Sequence, residues 1–282
     1  ALESNLLDED LWRGAEVFPE ARRYLPKLSN FNTGPDGYLE LIRRSKRSVA
    51  IPVIASLNGV TPSGWVRYAK HIEQAGADGL ELNIYSLETD PLKSGADVEE
   101  SYCELVHQVK TSVRIPVALK LSPYFSSIPY MAKRLDRAGA DALVLFNRFY
   151  QPDFDIEAME VVPRLHLSQP EELLPRLHWV AIIYGHVKAS LAITGGVHSA
   201  TDILKSVMAG ANAAMMTSAL LEHGLHYIHR VLDDLHRWME EHEYESIRQM
   251  VGSMSHRSVP DPGAFERGNY MKVLSSYALR LR

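Results

Sequence analysis

The chain contains 282 residues, 46% of them hydrophobic and 23% charged, which is the composition of an ordinary globular protein. Its 30 Lys and Arg residues against 35 Asp and Glu give a net charge of −5 without a basic stripe, which argues against nucleic acid or an anionic membrane surface as a partner. No apolar run is long enough to span a membrane, and the N-terminus lacks a signal-peptide pattern, so a cytoplasmic protein is expected.

In chain order, the hydrophobic periodicity predicts helices that alternate with strands. In the first half the predicted helices are 38–46, 65–75, 98–111 and 128–138, and the predicted strands are 49–57, 79–84, 117–121 and 142–146. The segment 149–167 alternates apolar and polar residues around two prolines, which predicts an inserted hairpin. After it we expect helix 173–187, strand 190–194, helix 200–209, strand 213–216, and helices 225–241 and 245–252.

One four-residue pattern occurs three times between an amphipathic helix and an apolar run. The copies are Ala75–Asp78, Ala138–Asp141 and Ala209–Asn212, spaced 63 and 71 residues apart. Glycine can adopt the left-handed conformation that closes a helix, so each copy predicts a helix end followed at once by a strand. Steady alternation of this kind predicts an α/β protein with a parallel sheet covered by helices.

The pattern contains six parallel strands, whereas a (β/α)8 TIM barrel has eight. We therefore expect a single barrel domain over residues 1–282 that lacks its first two strands, with 149–167 as an inserted hairpin and 225–282 as a C-terminal helical segment. The natural chain would then begin roughly fifty residues earlier, the length of two βα units. An open doubly wound sheet is the alternative, although no Gly-rich dinucleotide fingerprint follows an early strand.

Polar residues follow nearly every predicted strand, where barrels of this kind place their active sites. They are Ser56, Asn58, Asn83, Ser86, Lys120, Ser122, Asn147, Arg148, Thr194, Gly195, Gly196, Thr217 and Ser218. The last two strand ends offer backbone amides and hydroxyls that suit a phosphate. The alternative is that these glycines only form tight turns. A single cysteine, Cys103, excludes a cysteine-rich metal site.

Lys120 lies between the apolar residues of its strand and points to the opposite side, which is the barrel interior. Such a lysine contacts an anionic or electron-rich ligand, pairs with a carboxylate such as Glu81, or forms a Schiff base, and all three roles stay open. Asn83 and Asn147 end alternate strands, where they cap loops or offer donors and acceptors to a planar heterocycle.

Taken together, these motifs resemble the dihydroorotate dehydrogenases, and most closely the bacterial dihydroorotate dehydrogenase-like proteins. The resemblance runs from about Leu28 to Leu220 and continues in the tail through Met254 and Phe265–Arg267. The segments that carry it are Leu82–Ile84, Val117–Pro123 with the lysine, Phe146-Asn147, Thr194–Gly196 and Thr217-Ser218. It implies a (β/α)8 barrel of the FMN-binding type that oxidises dihydroorotate to orotate in pyrimidine biosynthesis, or that oxidises a related CH–CH substrate.

By this resemblance Lys120 contacts the flavin ring and Asn83 and Asn147 lie at flavin and substrate. The remaining cofactor-binding residues would be Ser56, Asn58, Thr194, Gly195, Gly196, Thr217 and Ser218. The family places its catalytic base in an Asn-x-Ser-Cys/Ser-Pro-Asn run, where this chain has Asn83–Glu88. Ser86 falls at the base position, and Leu87-Glu88 replaces the family's Pro-Asn.

Two other classes of function stay open at this point. One is a flavin-free, phosphate-binding barrel lyase or isomerase that uses Lys120 chemically, and the other is a non-catalytic barrel that serves as a binding module. The electron acceptor is not written in the sequence, and a homodimer is one oligomeric state that the resemblance leaves open.

Overall fold

The computed structural model of the protein describes residues 35–59, 62–84, 88–148, 152–162, 165–266 and 270–275. These residues form two compact units. The first holds the described residues up to Glu81 together with Gln108–Pro116, and the second holds Leu82–His107 and the described residues from Val117 onward.

The first unit contains a short helix–strand–helix arrangement. Its elements are α1 (Pro35–Ser48), β1 (Ile54–Leu57), α2 (Pro62–Gln74) and the start of β2 (Gly79–Asn83). Helix α2 buries Trp65, Ala69 and Ile72, whose three- and four-residue spacing places them on one helical face. The Tyr38 hydroxyl donates to Ser56 O and accepts from Ser56 N, both at 2.9 Å, and thereby attaches α1 to β1.

The second unit contains most of the regular structure. Its helices are α3 (Gly95–Lys110, which ends in the first unit), α4 (Ile128–Ala138), α5 (Leu173–Ile183), α6 (Ala200–Ala209), α7 (Ser218–His223), α8 (Tyr227–Glu241) and α9 (Tyr270–Ser275). Short 3₁₀ helices lie at Pro170–Glu172, Ile247–Gln249 and Pro262–Phe265. Its strands are β3 (Val117–Leu121), β4 (Ala142–Leu145), β5 (Asp153–Asp155), β6 (Glu160–Val162), β7 (Ser190–Thr194) and β8 (Ala213–Met215).

Strands β3, β4, β7 and β8 of this unit form a parallel sheet in that order. The register places Lys120 beside Val144 and Thr194 beside Met215, near the carboxyl ends of all four strands. Along β3 the fully buried residues alternate with half-buried ones, and Lys120 belongs to the half-buried set. The parallel sheet therefore gathers the residues that follow its strands at one edge.

Strands β5 and β6 form an antiparallel hairpin between β4 and α5. Asp153 pairs with Val162 and Asp155 pairs with Glu160. Both strands are largely exposed, and Phe154 and Val161 are among the exposed apolar side chains of the molecule. The hairpin thus lies outside the parallel sheet and returns the chain to the carboxyl edge of β4.

The three copies of the repeated four-residue pattern share one geometry, in which a glycine of positive φ ends a helix. The φ angles are +92°, +106° and +124° at Gly76, Gly139 and Gly210. Asp141 N then donates to Val117 O at 2.9 Å, and Asp141 Oδ2 accepts from Val117 N at 2.8 Å. The equivalent reciprocal pairs are Asp78 with Val53 and Asn212 with Leu191. A side-chain oxygen at this position fixes the register between one strand and the next.

The chain after α8 packs against α6. Gly252 N donates to Val207 O at 3.0 Å, and Met254 N donates to Met208 O at 2.8 Å. The prediction of a helix over 245–252 is therefore wrong, and only the short 3₁₀ helix forms there. Backbone N–H groups that bond to another helix cannot also build the i→i−4 ladder of their own segment.

Candidate functional site

A cavity of about 310 Å³ lies where β3, β4, β7 and β8 end, within the second unit. Besides Arg148, seven residues that were predicted from the sequence to follow strands line it: Lys120, Asn147, Thr194, Gly195, Gly196, Thr217 and Ser218. Other parts of the wall come from Arg148, which follows β4, and from His166 and Ser168, which follow the hairpin. The sheet therefore brings these residues to one place, and their role as ligands stays a prediction.

The Gly195-Gly196 turn approaches its neighbours so closely that side chains do not fit. Both residues have positive φ, +89° and +78°. A Cβ on Gly196 would lie 2.3 Å from Leu173 N, and a Cβ on Gly195 would lie 2.9 Å from Arg176 Nη2. The turn consequently presents bare backbone to the cavity, as sites for anionic groups do.

Two serines connect this turn to the next loop. The Ser168 hydroxyl donates to Ser218 Oγ at 2.8 Å, and Ser168 N donates to the same oxygen at 3.0 Å. Gly196 N donates to Ser168 Oγ at 3.3 Å. Because Ser218 Oγ already accepts twice, its own hydroxyl proton is directed to a further acceptor, which a phosphate oxygen in the cavity would provide.

A buried arginine lies against the glycine turn. Arg176 is 7% exposed, and its guanidinium donates from Nε to Thr194 O at 2.5 Å and from Nη1 to Glu172 O. Burial lowers the pKa of Arg176 while the Glu172 carboxylate opposes that shift, and the guanidinium stays protonated at neutral pH. Arg176 therefore connects Thr194, which precedes the turn, to Glu172 of the neighbouring 3₁₀ helix, and it places a positive charge beside the turn.

A second arginine, Arg148, binds the carboxylate of Glu172, the residue whose backbone carbonyl accepts from Arg176. Arg148 Nε donates to Glu172 Oε2 at 3.0 Å, Arg148 Nη1 donates to His166 O, and Gln169 N donates to Glu172 Oε1 at 3.0 Å. Burial raises the pKa of Glu172, but the hydrogen bonds from Arg148 and Gln169 outweigh it and the pKa is lowered overall. Two guanidiniums and one carboxylate leave one net positive charge at this end of the cavity, which suits an anion.

Asn147 connects the strand ends at the other side of the cavity. It is 6% exposed, and its Nδ2 donates to Ile84 O at 3.3 Å and to Lys120 O at 3.4 Å. With its amide nitrogen bound in this way, Asn147 offers its Oδ1 as an acceptor. Lys120 is half-buried and lines the same cavity, so a cation and an amide acceptor lie together there.

The other predicted site residues lie elsewhere or outside the described residues. Asn83 ends β2, and its buried Oδ1 finds no hydrogen-bond partner among the described residues. Ser56 and Asn58 are exposed residues of the first unit, where the Ser56 hydroxyl donates to Glu81 Oε1 at 2.8 Å. Ser86 lies outside the described residues. Within the described part of the chain, no helix could cross a membrane, and no three His, Cys, Asp or Glu side chains gather as metal ligands would.

Sequence reasoning missed Ser168 and Arg176. Ser168 lies in an irregular segment, where no periodicity separates it from other loop serines. Arg176 had a usable signal, since it is the one acidic or basic residue that α5 contains apart from a histidine, and a charge in so apolar a helix needs a partner.

The fold and the cavity define an α/β protein with a polar cavity at the carboxyl edge of a parallel sheet. Residues 25–239 match the family model described as dihydroorotate dehydrogenase, so the chain belongs to the dihydroorotate dehydrogenase family. The family's fold is the (β/α)8 barrel, and the α/β class predicted from the sequence is confirmed.

Individual relatives agree with this assignment. The "Putative dihydroorotate dehydrogenase A (fumarate)" of Aeropyrum pernix is 27% identical over 250 residues, which cover 86% of this chain and 80% of the relative. The catalytic subunit of dihydroorotate dehydrogenase B (NAD(+)) of Thermoplasma acidophilum is 29% identical over 231 residues, 78% of this chain and 74% of the relative. The corresponding subunit of Geobacter sp. strain M21 is 29% identical over 230 residues, 79% of this chain and 74% of the relative.

Proposed function

We propose that the protein is an FMN-dependent oxidoreductase that acts on CH–CH bonds and oxidises dihydroorotate to orotate. One observation carries the proposal: a single cavity joins two anion-binding loops to Lys120 and Asn147. The names of the relatives support the choice of dihydroorotate over other substrates of this reaction class.

The residues of the cavity fit the phosphate end of FMN. The Gly195-Gly196 turn lines the cavity and carries no side chain, so a phosphate could approach its backbone. Ser218 has a hydroxyl proton to donate, and Arg148 and Arg176 supply positive charge that the single carboxylate of Glu172 does not cancel. Phosphate groups bind to this combination of backbone, hydroxyl and charge.

At the other end, Lys120 and Asn147 would hold the flavin ring and the substrate. The ammonium group of Lys120 stabilises negative charge that develops nearby, and Asn147 Oδ1 accepts from an N–H of a planar heterocycle. The buried Oδ1 of Asn83, one residue before the Ile84 carbonyl that Asn147 contacts, is a further acceptor without a described partner. When bound, FMN supplies the acceptor for the hydride that leaves the substrate.

Ser86 is the residue that we propose as the base, which would take up the proton from the substrate carbon. Leu87 and Glu88 stand where the family has Pro-Asn, so we propose that the substrate contacts on this side differ from those of the family. We further propose that the reaction serves pyrimidine biosynthesis in the cytoplasm and that the protein acts as a homodimer.

The visible absorption spectrum of the purified protein, followed by anaerobic titration with dihydroorotate, tests the proposal. We expect flavin absorbance that is bleached stoichiometrically, and turnover with fumarate or NAD⁺, the acceptors that the relatives' names specify. Lys120→Ala should slow the bleaching, whereas Lys133→Ala, an exposed lysine of α4, should not. Protein without flavin, or flavin that dihydroorotate leaves oxidised, would contradict the proposal.

A further inference from the structure

The second unit has another cavity, of about 260 Å³, that shares no described lining residue with the first. It lies between one face of α3 and the loop that follows β3. Its walls include Glu88, Glu99, Tyr102, Ser122, Tyr124 and Phe125. Apart from Glu88, which stands where the family has the Asn of its Pro-Asn pair, none of these side chains has a role in the proposed oxidation of dihydroorotate.

The clearest sign of a ligand is the hydroxyl group of Tyr102. Tyr102 is 4% exposed, and this hydroxyl makes no hydrogen bond or ion pair with the described residues. Burial raises the pKa of Tyr102 to about 12, so the phenol is protonated at neutral pH and can donate as well as accept. Tyr102 lines the cavity, so a polar ligand there would complete the hydrogen bonds of its hydroxyl.

The charges around the cavity are unequal. Glu88 pairs with Lys93 at 2.6 Å, and Arg134 is shared between Glu99, at 3.1 Å, and Glu100. Of these five residues, only Glu88 and Glu99 belong to the described lining of the cavity, which therefore carries two carboxylates and no cation. Arg134 binds Glu99 through Oε2, so Oε1 of Glu99 keeps its capacity to accept from a ligand.

Aromatic rings form the rest of the wall. Tyr102 and Phe125 pack edge to face with centroids 5.5 Å apart, and Tyr124 adds a ring that is 63% exposed. Aromatic faces attract organic cations, and the attraction grows when a carboxylate is close. From the combination of rings, carboxylates in the lining and an unpartnered phenol, we propose that this cavity binds a small organic cation, namely an aromatic or alkyl ammonium compound.

The test compares three probes of similar size on the full chain: benzylamine, which is cationic at neutral pH, the neutral benzyl alcohol and the anionic benzoate. Binding is followed by ligand-observed NMR and calorimetry. We expect benzylamine to bind about fivefold or more tightly than benzyl alcohol, as a cation–aromatic contact supported by a carboxylate predicts, and benzoate to bind least. Benzoate that binds as tightly as benzylamine, or no saturable binding by any probe, would overturn the proposal.

Single substitutions show whether benzylamine binds in this cavity. Tyr102→Phe removes a hydroxyl that has no described partner, so the fold and the flavin content should be unchanged while benzylamine binding weakens. Glu99→Gln should weaken it further, since the carboxylate charge is lost. Tyr130→Phe is the matched control, because Tyr130 is 60% exposed on α4 and does not line the cavity. If Tyr102→Phe and Tyr130→Phe bind benzylamine equally well, the cation binds elsewhere and the assignment fails, whatever the flavin site does.

Discussion

The Gly195-Gly196 turn allows one prediction to be worked out from distances. In Gly196→Ala, the added methyl group would lie 2.3 Å from Leu173 N and 2.9 Å from Glu172 C. These are backbone atoms, so the overlap cannot be relieved by turning a side chain. A non-glycine residue at positive φ costs about 1–2 kcal/mol, and overpacking adds about 1–3 kcal/mol. We expect a loss of about 2–5 kcal/mol in the free energy of unfolding, which a domain of ordinary stability survives.

Gly185→Ala is the matched control, since Gly185 has a φ of +80° and its added methyl would meet only the flexible side chain of Arg257, at 3.2 Å. This variant should lose only the conformational part, about 1–2 kcal/mol. Urea unfolding measures the free energy, and quenching of FMN fluorescence measures cofactor affinity. Gly196→Ala should be the less stable variant and should lose FMN affinity, while Gly185→Ala binds FMN normally. Equal destabilisation with FMN affinity retained in both would show that the turn is not packed as described.

Three further predictions concern the same cavity. Ser168→Ala should lower FMN affinity about tenfold, because it removes the hydroxyl that holds Ser218 Oγ and Gly196 N in place at the proposed phosphate site. It should leave the affinity for riboflavin, which has no phosphate, unchanged; an equal loss for both would contradict the phosphate assignment. Arg176→Met should likewise weaken FMN more than riboflavin, and thermal melting reports whether the fold survives. Glu172→Gln tests pH dependence: the folded-state pKa of Glu172 is lowered from about 4.5, so its stabilising effect is complete above that pH and is lost as the pH falls through the folded-state value. The difference in unfolding free energy between wild type and Glu172→Gln should therefore shrink below pH 4.5, and a constant difference across that range would refute the shift.

The elements best predicted from sequence are two strands and two helices, since Ile128–Ala138 and Ala200–Ala209 also have their predicted bounds. Val117–Leu121 and Ser190–Thr194 have the predicted bounds, because continuous apolar runs between turn signals leave one register. The strand predicted over 49–57 is shorter, since α1 extends to Ser48 and Val49 N still donates to Ser45 O. Apolar residues continue beyond the last helical hydrogen bond of α1, so composition does not show where the helix ends.

The candidate site was predictable where it depends on strand ends and not where it depends on packing from outside the sheet. Lys120 and Asn147 interrupt or end apolar strands, so their position follows from the strands themselves. Ser168 reaches the same cavity only because the hairpin returns the chain to it. That contact joins residues 50 apart in sequence, Ser168 and Ser218, and no local pattern encodes it.

The reciprocal bonds between Asp141 and Val117 also bear on how such proteins can be recombined. The two residues are 24 positions apart, and the bonds are complete within one strand–helix–strand segment. A chimera whose crossover falls outside that segment keeps both hydrogen-bonding partners, and with them the strand register that directs Lys120 toward the cavity. A crossover between Val117 and Asp141 separates the two partners, and only a parent with Asp or Asn at the second position restores the match. Recombination between family members should therefore succeed outside the segment from Val117 to Asp141 and fail most often within it, whether the crossover falls in the loop after β3 or in α4.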